Sequence, residues 1–65
     1  MIIRSNNTSA TAAAEIFARE NWSPSRKVGE TKTENGQLWF KLVNGVKWYR
    51  VMSLGVVGWE VIDAE

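Results

Sequence analysis

The residues best suited to chemistry in this chain are aromatic and basic side chains within 35–52, NGQLWFKLVNGVKWYRVM. Trp39 and Lys41 are two residues apart, and so are Trp48 and Arg50. On a β-strand, residues two apart share a face. Indole rings beside cations are typical of surfaces that bind a partner by packing, cation–π contact and charge. These residue types therefore predict binding rather than a reaction.

Catalysis and metal binding are disfavoured by the residue types that the chain lacks. The sequence has no histidine and no cysteine, so the Ser–His and Cys–His pairs that activate nucleophiles are absent, as are the usual zinc ligands. Gly55-x-x-Gly58 falls between strand-like segments rather than before a helix, which does not fit a phosphate loop. Glu60, Asp63 and Glu65 are typical of a solvated segment rather than a cation site. We expect a protein that is not an enzyme and needs no cofactor or metal.

Length and charge limit the class of protein. A chain of 65 residues predicts one domain, residues 1–65, near the lower limit for independent folding. The net charge of +1 is too small for a non-specific nucleic-acid binder, which should be clearly basic. Residues 1–7, MIIRSNN, lack the apolar core of a signal peptide, and no apolar run approaches the roughly 20 residues of a membrane span. We therefore expect a cytoplasmic protein without a membrane partner.

One helix is predicted in the N-terminal third, after a short first strand at residues 1–4. Residues 9–21, SATAAAEIFAREN, are rich in alanine and contain no Gly or Pro, and Thr8 or Ser9 is a good N-cap. Residues 22–25, WSPS, should end the helix, with the tryptophan as an anchor under the sheet edge. The expected apolar stripe of the helix consists of Ala12, Ala13, Ile16 and Phe17.

Two Asn-Gly pairs, Asn35-Gly36 and Asn44-Gly45, predict two tight hairpin turns, because both central residues of a type I′ turn need φ > 0. The pairs expected around the first turn are Glu34 with Gln37, Lys32 with Trp39, Thr31 with Phe40 and Glu30 with Lys41. The pairs expected around the second turn are Val43 with Val46, Lys41 with Trp48, Phe40 with Tyr49 and Trp39 with Arg50.

This register sorts the side chains into two faces, because paired residues point to the same side of a sheet. The inner face, which the helix should cover, carries Gly29, Thr31, Thr33, Leu38, Phe40, Leu42, Tyr49 and Val51. The outer face carries Glu30, Lys32, Trp39, Lys41, Trp48 and Arg50, with Val28, Val43, Val46 and Met52 toward one end. We call Lys32, Trp39, Lys41, Trp48 and Arg50 the aromatic–basic cluster; they are the predicted partner-binding residues.

The last strand is predicted at residues 58–64, and its register depends on the loop before it. A two-residue turn at Leu54-Gly55 would set Tyr49 against Glu60 and turn Trp59 outward. A three-residue loop, residues 54–56, instead extends the core and forms two opposite-charge pairs, so we adopt it. Its pairs are Val51 with Trp59, Tyr49 with Val61, Arg50 with Glu60 and Lys47 with Asp63. The predicted fold class is α+β, with one helix packed on a twisted antiparallel meander of four strands, or a sheet of five with residues 1–4.

Two resemblances to known proteins add expectations. Trp48-Tyr49-Arg50-Val51 followed by Gly55-x-x-Gly58-Trp59-x-Val61 resembles the C-terminal half of bacterial SH3-like domains, over residues 46–61. This resemblance implies a small, bent β-barrel that serves as a binding module, often for cell-wall peptides. The layout of a short strand, a capped helix and antiparallel strands with Asn-Gly turns is similar to small phage-encoded proteins, including anti-CRISPR proteins. That likeness implies a non-catalytic inhibitor that occludes a surface of its target.

Three functions remain open on the residues alone. The leading hypothesis is a phage-type inhibitor that docks the aromatic–basic cluster on a host protein or nucleoprotein complex. The first alternative is an SH3-like or OB-like module that binds single-stranded nucleic acid, with bases stacked on the rings and phosphates on the cations. Glu30, Glu34 and Glu60 on the same face argue against it. The second alternative is a homodimer that buries its outer face.

Overall fold

The described part of the chain forms one antiparallel sheet with a helix on one face. The computed structural model describes residues 1–4, 8–21 and 27–64 (of Asn21, the backbone only), so residues 22–25 and Glu65 lie outside the description. The strand order is β1-β5-β4-β3-β2, with β1 and β2 as the edges of an open sheet. The α+β prediction and the fifth strand are confirmed. The elements are β1 (Ile2–Ile3), α1 (Ala10–Asn21), β2 (Val28–Glu34), β3 (Gln37–Leu42), β4 (Tyr49–Ser53), a 3-10 helix (Gly55–Val57) and β5 (Trp59–Asp63).

Helix α1 begins where Ser9 caps it. The Ser9 side-chain oxygen accepts a hydrogen bond from the backbone N–H of Ala12 at 3.1 Å, which satisfies one of the free donors of the first turn. Of the two predicted caps, Ser9 therefore fills the role.

Among the described residues, none of the helices combines the length and the hydrophobicity that a membrane span requires.

The buried face of α1 differs from the predicted stripe by a rotation of about one residue. Ala12 and Ile16 are only half-buried, whereas Ala14 and Ala18 are fully buried. Because alanine has almost no side chain, this face lets the helix backbone approach the sheet closely. The buried residues of the helix are Ala13, Ala14, Phe17 and Ala18.

Three aromatic rings form the centre of the core between α1 and the sheet. The ring of Phe17 meets that of Phe40 edge to face, with centroids 5.8 Å apart, and the ring of Tyr49 stacks on Phe40 at 5.4 Å. Phe40 is fully buried. The predicted inward orientation of Phe40 and Tyr49 is confirmed. Around the rings pack Ile3, Leu42, Val51 and Val61.

The first hairpin turn is confirmed. Asn35 has φ 53° and Gly36 has φ 76°, as a type I′ turn requires. The four pairs from Thr31–Phe40 to Glu34–Gln37 follow the predicted register.

A bulge breaks this register between Val28 and Thr31. Val28 is opposite Leu42 and packs against the core, so its predicted place on the outer face is wrong. Glu30 is not a ladder partner of Lys41, although their charged groups lie 3.9 Å apart. A bulge inserts one extra residue on one strand, which turns the residues beyond it to the other face.

The prediction of the second hairpin turn is wrong, although the two strands that the turn joins are paired as predicted. The turn spans Leu42 to Gly45, one residue earlier than expected, because the Gly45 N–H donates to the Leu42 carbonyl at 2.8 Å. Asn44 has φ 64°, while Gly45 is not in the left-handed region. Residues 45–48 are irregular, so the Val43–Val46 and Lys41–Trp48 ladder pairs do not form. The predicted pairs Phe40–Tyr49 and Trp39–Arg50 are nevertheless present.

The last strand is displaced by two residues from the predicted register. Val51 is opposite Val61 rather than Trp59, because the loop runs from Leu54 to Gly58, closed by a Leu54 N–H to Gly58 O bond of 2.9 Å. A shift of two keeps each side chain on its predicted face, and Val61 is accordingly buried.

The two charge pairs predicted for that strand have opposite outcomes. Arg50 is opposite Ile62 rather than Glu60, so that pair is wrong. Lys47 and Asp63 are not ladder partners, yet their charged groups form the expected ion pair at 2.8 Å.

Strand β5 also forms hydrogen bonds with the first residue of the chain and with a residue just before α1. The Met1 nitrogen donates to the Val61 carbonyl at 2.9 Å, and the Val61 N–H donates to the Met1 carbonyl at 2.8 Å. The Trp59 indole N–H donates to the carbonyl of Thr8, just before α1, at 2.7 Å. These bonds fix both sides of the connection between β1 and α1.

Candidate binding face

The five residues of the aromatic–basic cluster meet on the outer face, opposite α1. Lys32 comes from β2, Trp39 and Lys41 from β3, and Arg50 from β4, each at an outward position of its strand. Trp48 belongs to the irregular segment before β4. The structure thus brings together every residue that the sequence predicted for the site.

Lys32 is the centre of the cluster. Its ammonium lies 4.9 Å from the Trp39 ring centroid and 4.5 Å from that of Trp48, so it contacts both indoles. It also forms an ion pair of 2.9 Å with Glu34. The sequence predicted only the neighbour Trp39, because the contact with Trp48 depends on the irregular path of residues 45–48.

Lys41 also lies against an indole and is also paired with a carboxylate. Its ammonium is 4.7 Å from the Trp48 ring centroid and 3.9 Å from a carboxylate oxygen of Glu30. Trp48 therefore has a lysine ammonium from each of two neighbouring strands against its ring. The attraction of each ammonium to the ring is worth about 0.5–1 kcal/mol at exposed sites.

Arg50 differs from the two lysines because it forms no ion pair with any described residue. Its guanidinium carbon lies 5.8 Å from the Trp39 ring centroid. One terminal nitrogen donates to the side-chain oxygen of Gln37 at 3.4 Å, which is long for a hydrogen bond. Gln37 is a member of the site that the sequence did not single out, because a glutamine beside a turn carries no distinctive signal.

Two N–H donors of the cluster are buried without an acceptor among the described residues: Trp39 Nε1 and Arg50 Nε. Buried polar groups are nearly always hydrogen-bonded in native proteins. Both donors belong to one cross-strand pair, Trp39 opposite Arg50. The unmet hydrogen-bonding capacity of the outer face is therefore concentrated at one place.

The charges of the outer face are balanced. Its cations are Lys32, Lys41 and Arg50, and its carboxylates are Glu30, Glu34 and Glu60. The apolar side chains of Met52 and Ile62 are half-buried on the same face. The surface is thus aromatic and apolar with matched charges rather than a basic patch.

The acidic residues considered for a cation are dispersed. Asp63 is paired with Lys47, Glu60 lies opposite Met52 on the outward side, and Glu65 is outside the described residues. Within residues 1–4, 8–21 and 27–64, no group of three or more His, Cys, Asp or Glu side chains has the arrangement of a metal site.

Replacing Lys32 with methionine tests whether the cluster is held by cation–π contact. Methionine keeps an unbranched apolar side chain but removes the ammonium from both rings. We expect the free energy of unfolding, measured by urea denaturation, to fall by about 1–2 kcal/mol for the two ring contacts together. Lys27→Met is the control, since Lys27 is exposed just before β2. Equal losses in the two variants would contradict the assignment.

Comparison of the chain with protein-family models, with curated proteins and with solved structures found no match.

Proposed function

We propose that this protein is a non-catalytic binding protein that docks its outer face on another protein. The observation that supports this most is the Trp39–Arg50 pair, with two buried donors lacking acceptors on the sheet face that α1 leaves uncovered. Trp and Arg are the residues most enriched among interface positions with large binding energies. Arg50 forms no ion pair with a described residue, so an acceptor on the partner would meet its terminal nitrogens.

A protein partner fits the face better than single-stranded nucleic acid. Binding of single strands uses open aromatic faces for base stacking and free cations for phosphates. Here lysine ammonium groups occupy ring faces of both Trp39 and Trp48. Two of the three cations are also already paired with carboxylates. Of the three outer-face cations, only Arg50 would be available to a phosphate. This observation favours the nucleic-acid alternative.

Within this proposal the protein acts as a phage-type inhibitor in the cytoplasm of its host. A domain of 65 residues can block a larger protein or nucleoprotein complex by covering a surface, without a pocket or a reaction. The β-α-β-β-β-β layout agrees with the small phage-encoded inhibitors, including anti-CRISPR proteins, at the level of fold analogy. Residues 46–61, whose sequence resembles the C-terminal half of bacterial SH3-like domains, include Trp48 and Arg50 of the face.

Capture from nuclease-treated bacterial lysate, followed by direct titration, tests the proposal. The wild-type chain should retain a protein whose affinity falls only modestly as ionic strength rises, because the face is charge-balanced. Nucleic-acid binding would instead show a steep linear fall of log affinity with log salt concentration. A steep fall with any single-stranded oligonucleotide, and no captured protein, would contradict the proposal.

The homodimer alternative is tested by sedimentation over a dilution series. Burial of the outer face between two copies would make the mass depend on concentration. Under the proposal the free protein stays a monomer throughout, and a dimer that dissociates with Trp48→Ala would overturn it.

A further inference from the structure

The two unmet donors of the outer face belong to one cross-strand pair of residues. Trp39 and Arg50 are directly opposite each other on β3 and β4, and the guanidinium carbon is 5.8 Å from the Trp39 ring centroid. A buried donor that makes no hydrogen bond destabilises the free protein. This cross-strand pair therefore has two such donors, one of them on the charged guanidinium.

Among the described residues, no other buried side-chain nitrogen or oxygen lacks a partner. The Trp59 indole N–H donates to Thr8 O at 2.7 Å. The outer-face cations Lys32 and Lys41 each pair with a glutamate. Arg50 has only the amide oxygen of Gln37, at 3.4 Å. What the Trp39–Arg50 pair lacks is an anionic acceptor.

We propose that the Trp39–Arg50 pair binds a carboxylate side chain, Asp or Glu, presented by the partner protein. This rests on the proposed function and names the partner's chemistry. A carboxylate has two oxygens in a plane, which match the parallel N–H groups of a guanidinium. The carboxylate meets the terminal nitrogens of Arg50, which is half-buried as a whole, because Arg50 Nε and Trp39 Nε1 are themselves buried in the free protein.

A single carboxylate suits the site better than a phosphate chain. Glu34 and Glu60 lie on the same face on either side of the pair, and they repel a polyanion that runs across the sheet. One carboxylate within an otherwise apolar contact avoids that repulsion. It also supplies the charge that Arg50 lacks while leaving the two lysine–glutamate pairs intact.

NMR titration of the full-length, 15N-labelled protein tests this inference with small probes. N-acetyl-aspartate amide and N-acetyl-asparagine amide differ only at the end of the side chain, which is a carboxylate in the first and an amide in the second. The aspartate side chain stays ionised at mildly acidic pH. At constant ionic strength we expect saturable shifts of the Trp39 Nε1–H and Arg50 Nε–H signals with the aspartate probe. Its affinity should be at least about tenfold higher than that of the asparagine probe. The Trp59 indole signal should not move.

Two variants of the protein and a third probe, dimethyl phosphate, test whether the shift reports a carboxylate bound at Arg50. Arg50→Gln should abolish the saturable shift of Trp39, while Lys27→Gln, which removes an exposed charge before β2, should leave it unchanged. Equal affinity for the two amides, or a shift that persists in Arg50→Gln, would overturn the inference. Tighter binding of dimethyl phosphate than of the aspartate probe would also overturn it, in favour of a nucleic-acid backbone.

Failure of this inference is distinguishable from failure of the proposed function. If the aspartate probe does not bind but Trp48→Ala still weakens binding to the captured protein, the carboxylate site is wrong and the proposed function stands. If the probe binds at Arg50 but no captured protein depends on the outer face, the proposed function fails and the carboxylate site stands.

Discussion

Arg50→Glu is expected to weaken binding of the partner protein at least about 100-fold, or about 2.7 kcal/mol. The substitution removes the one cation of the outer face that forms no ion pair with a described residue and places a negative charge where the partner's acceptor would lie. The fold should tolerate the change. Arg50 loses its contacts with Trp39 and Gln37, which are worth about 1 kcal/mol together.

The control for this prediction is Lys27→Glu, which makes the same charge change at an exposed position before β2. Isothermal titration calorimetry of both variants against the captured protein should show a large loss for Arg50→Glu and less than about a threefold change for Lys27→Glu. Similar losses in the two variants would mean that net charge, rather than the Trp39–Arg50 pair, governs binding.

Phe40→Ala is expected to unfold the protein. Phe40 is fully buried and contacts the rings of both Phe17 and Tyr49, so its loss leaves a cavity at the centre of the core. Such truncations cost about 3–5 kcal/mol. A core of this size rarely supplies more than about 3–5 kcal/mol in total. Circular dichroism at room temperature should show a largely unfolded chain.

Lys41→Ala on the same strand is the matched control, because its side chain points to the outer face. It should change the free energy of unfolding by no more than about 1 kcal/mol. Cooperative unfolding of Phe40→Ala within about 1 kcal/mol of the wild type would contradict the assignment of the core. The two neighbours thus test the division between a face that stabilises the fold and a face that is free to bind.

The division of the aromatic residues between the two faces was predictable from the sequence, although one of the turns was not. Phe40 and Tyr49 point inward and Trp39 and Arg50 outward because strand alternation has a period of two. The β3–β4 connection is longer than a two-residue turn, but it preserves the predicted register.

The features that escaped prediction depend on loop length or on small side chains. The displacement of β5 by two residues does not change which face of the sheet each of its side chains points to. Trp59 and Val61 therefore point to the same face in both registers. The extra residue in the bulge of β2 carries no sequence signal by itself, yet it moves Val28 to the core. The buried face of α1 was ambiguous because alanines lie on several sides of the helix.

The contacts among the side chains of the outer face depend on tertiary structure in the same way. Lys32 contacts Trp48 only because residues 45–48 leave the ladder. The two buried donors, Trp39 Nε1 and Arg50 Nε, become visible only when side-chain burial is known. Sequence reasoning could name the residues of the face but not which of them lack a partner.

Binding through the outer face is tested most directly by the affinity of Trp48→Ala for the captured protein, measured together with the free energy of unfolding of the same preparation. Trp48 contributes its ring to the outer face and none of its side chain to the buried core. We predict a loss of affinity of at least about 30-fold, or about 2 kcal/mol, with cooperative unfolding retained. Wild-type affinity would show that Trp48 takes no part in binding, and loss of the folded state together with binding would show that the outer face is structural; either result contradicts binding through this face.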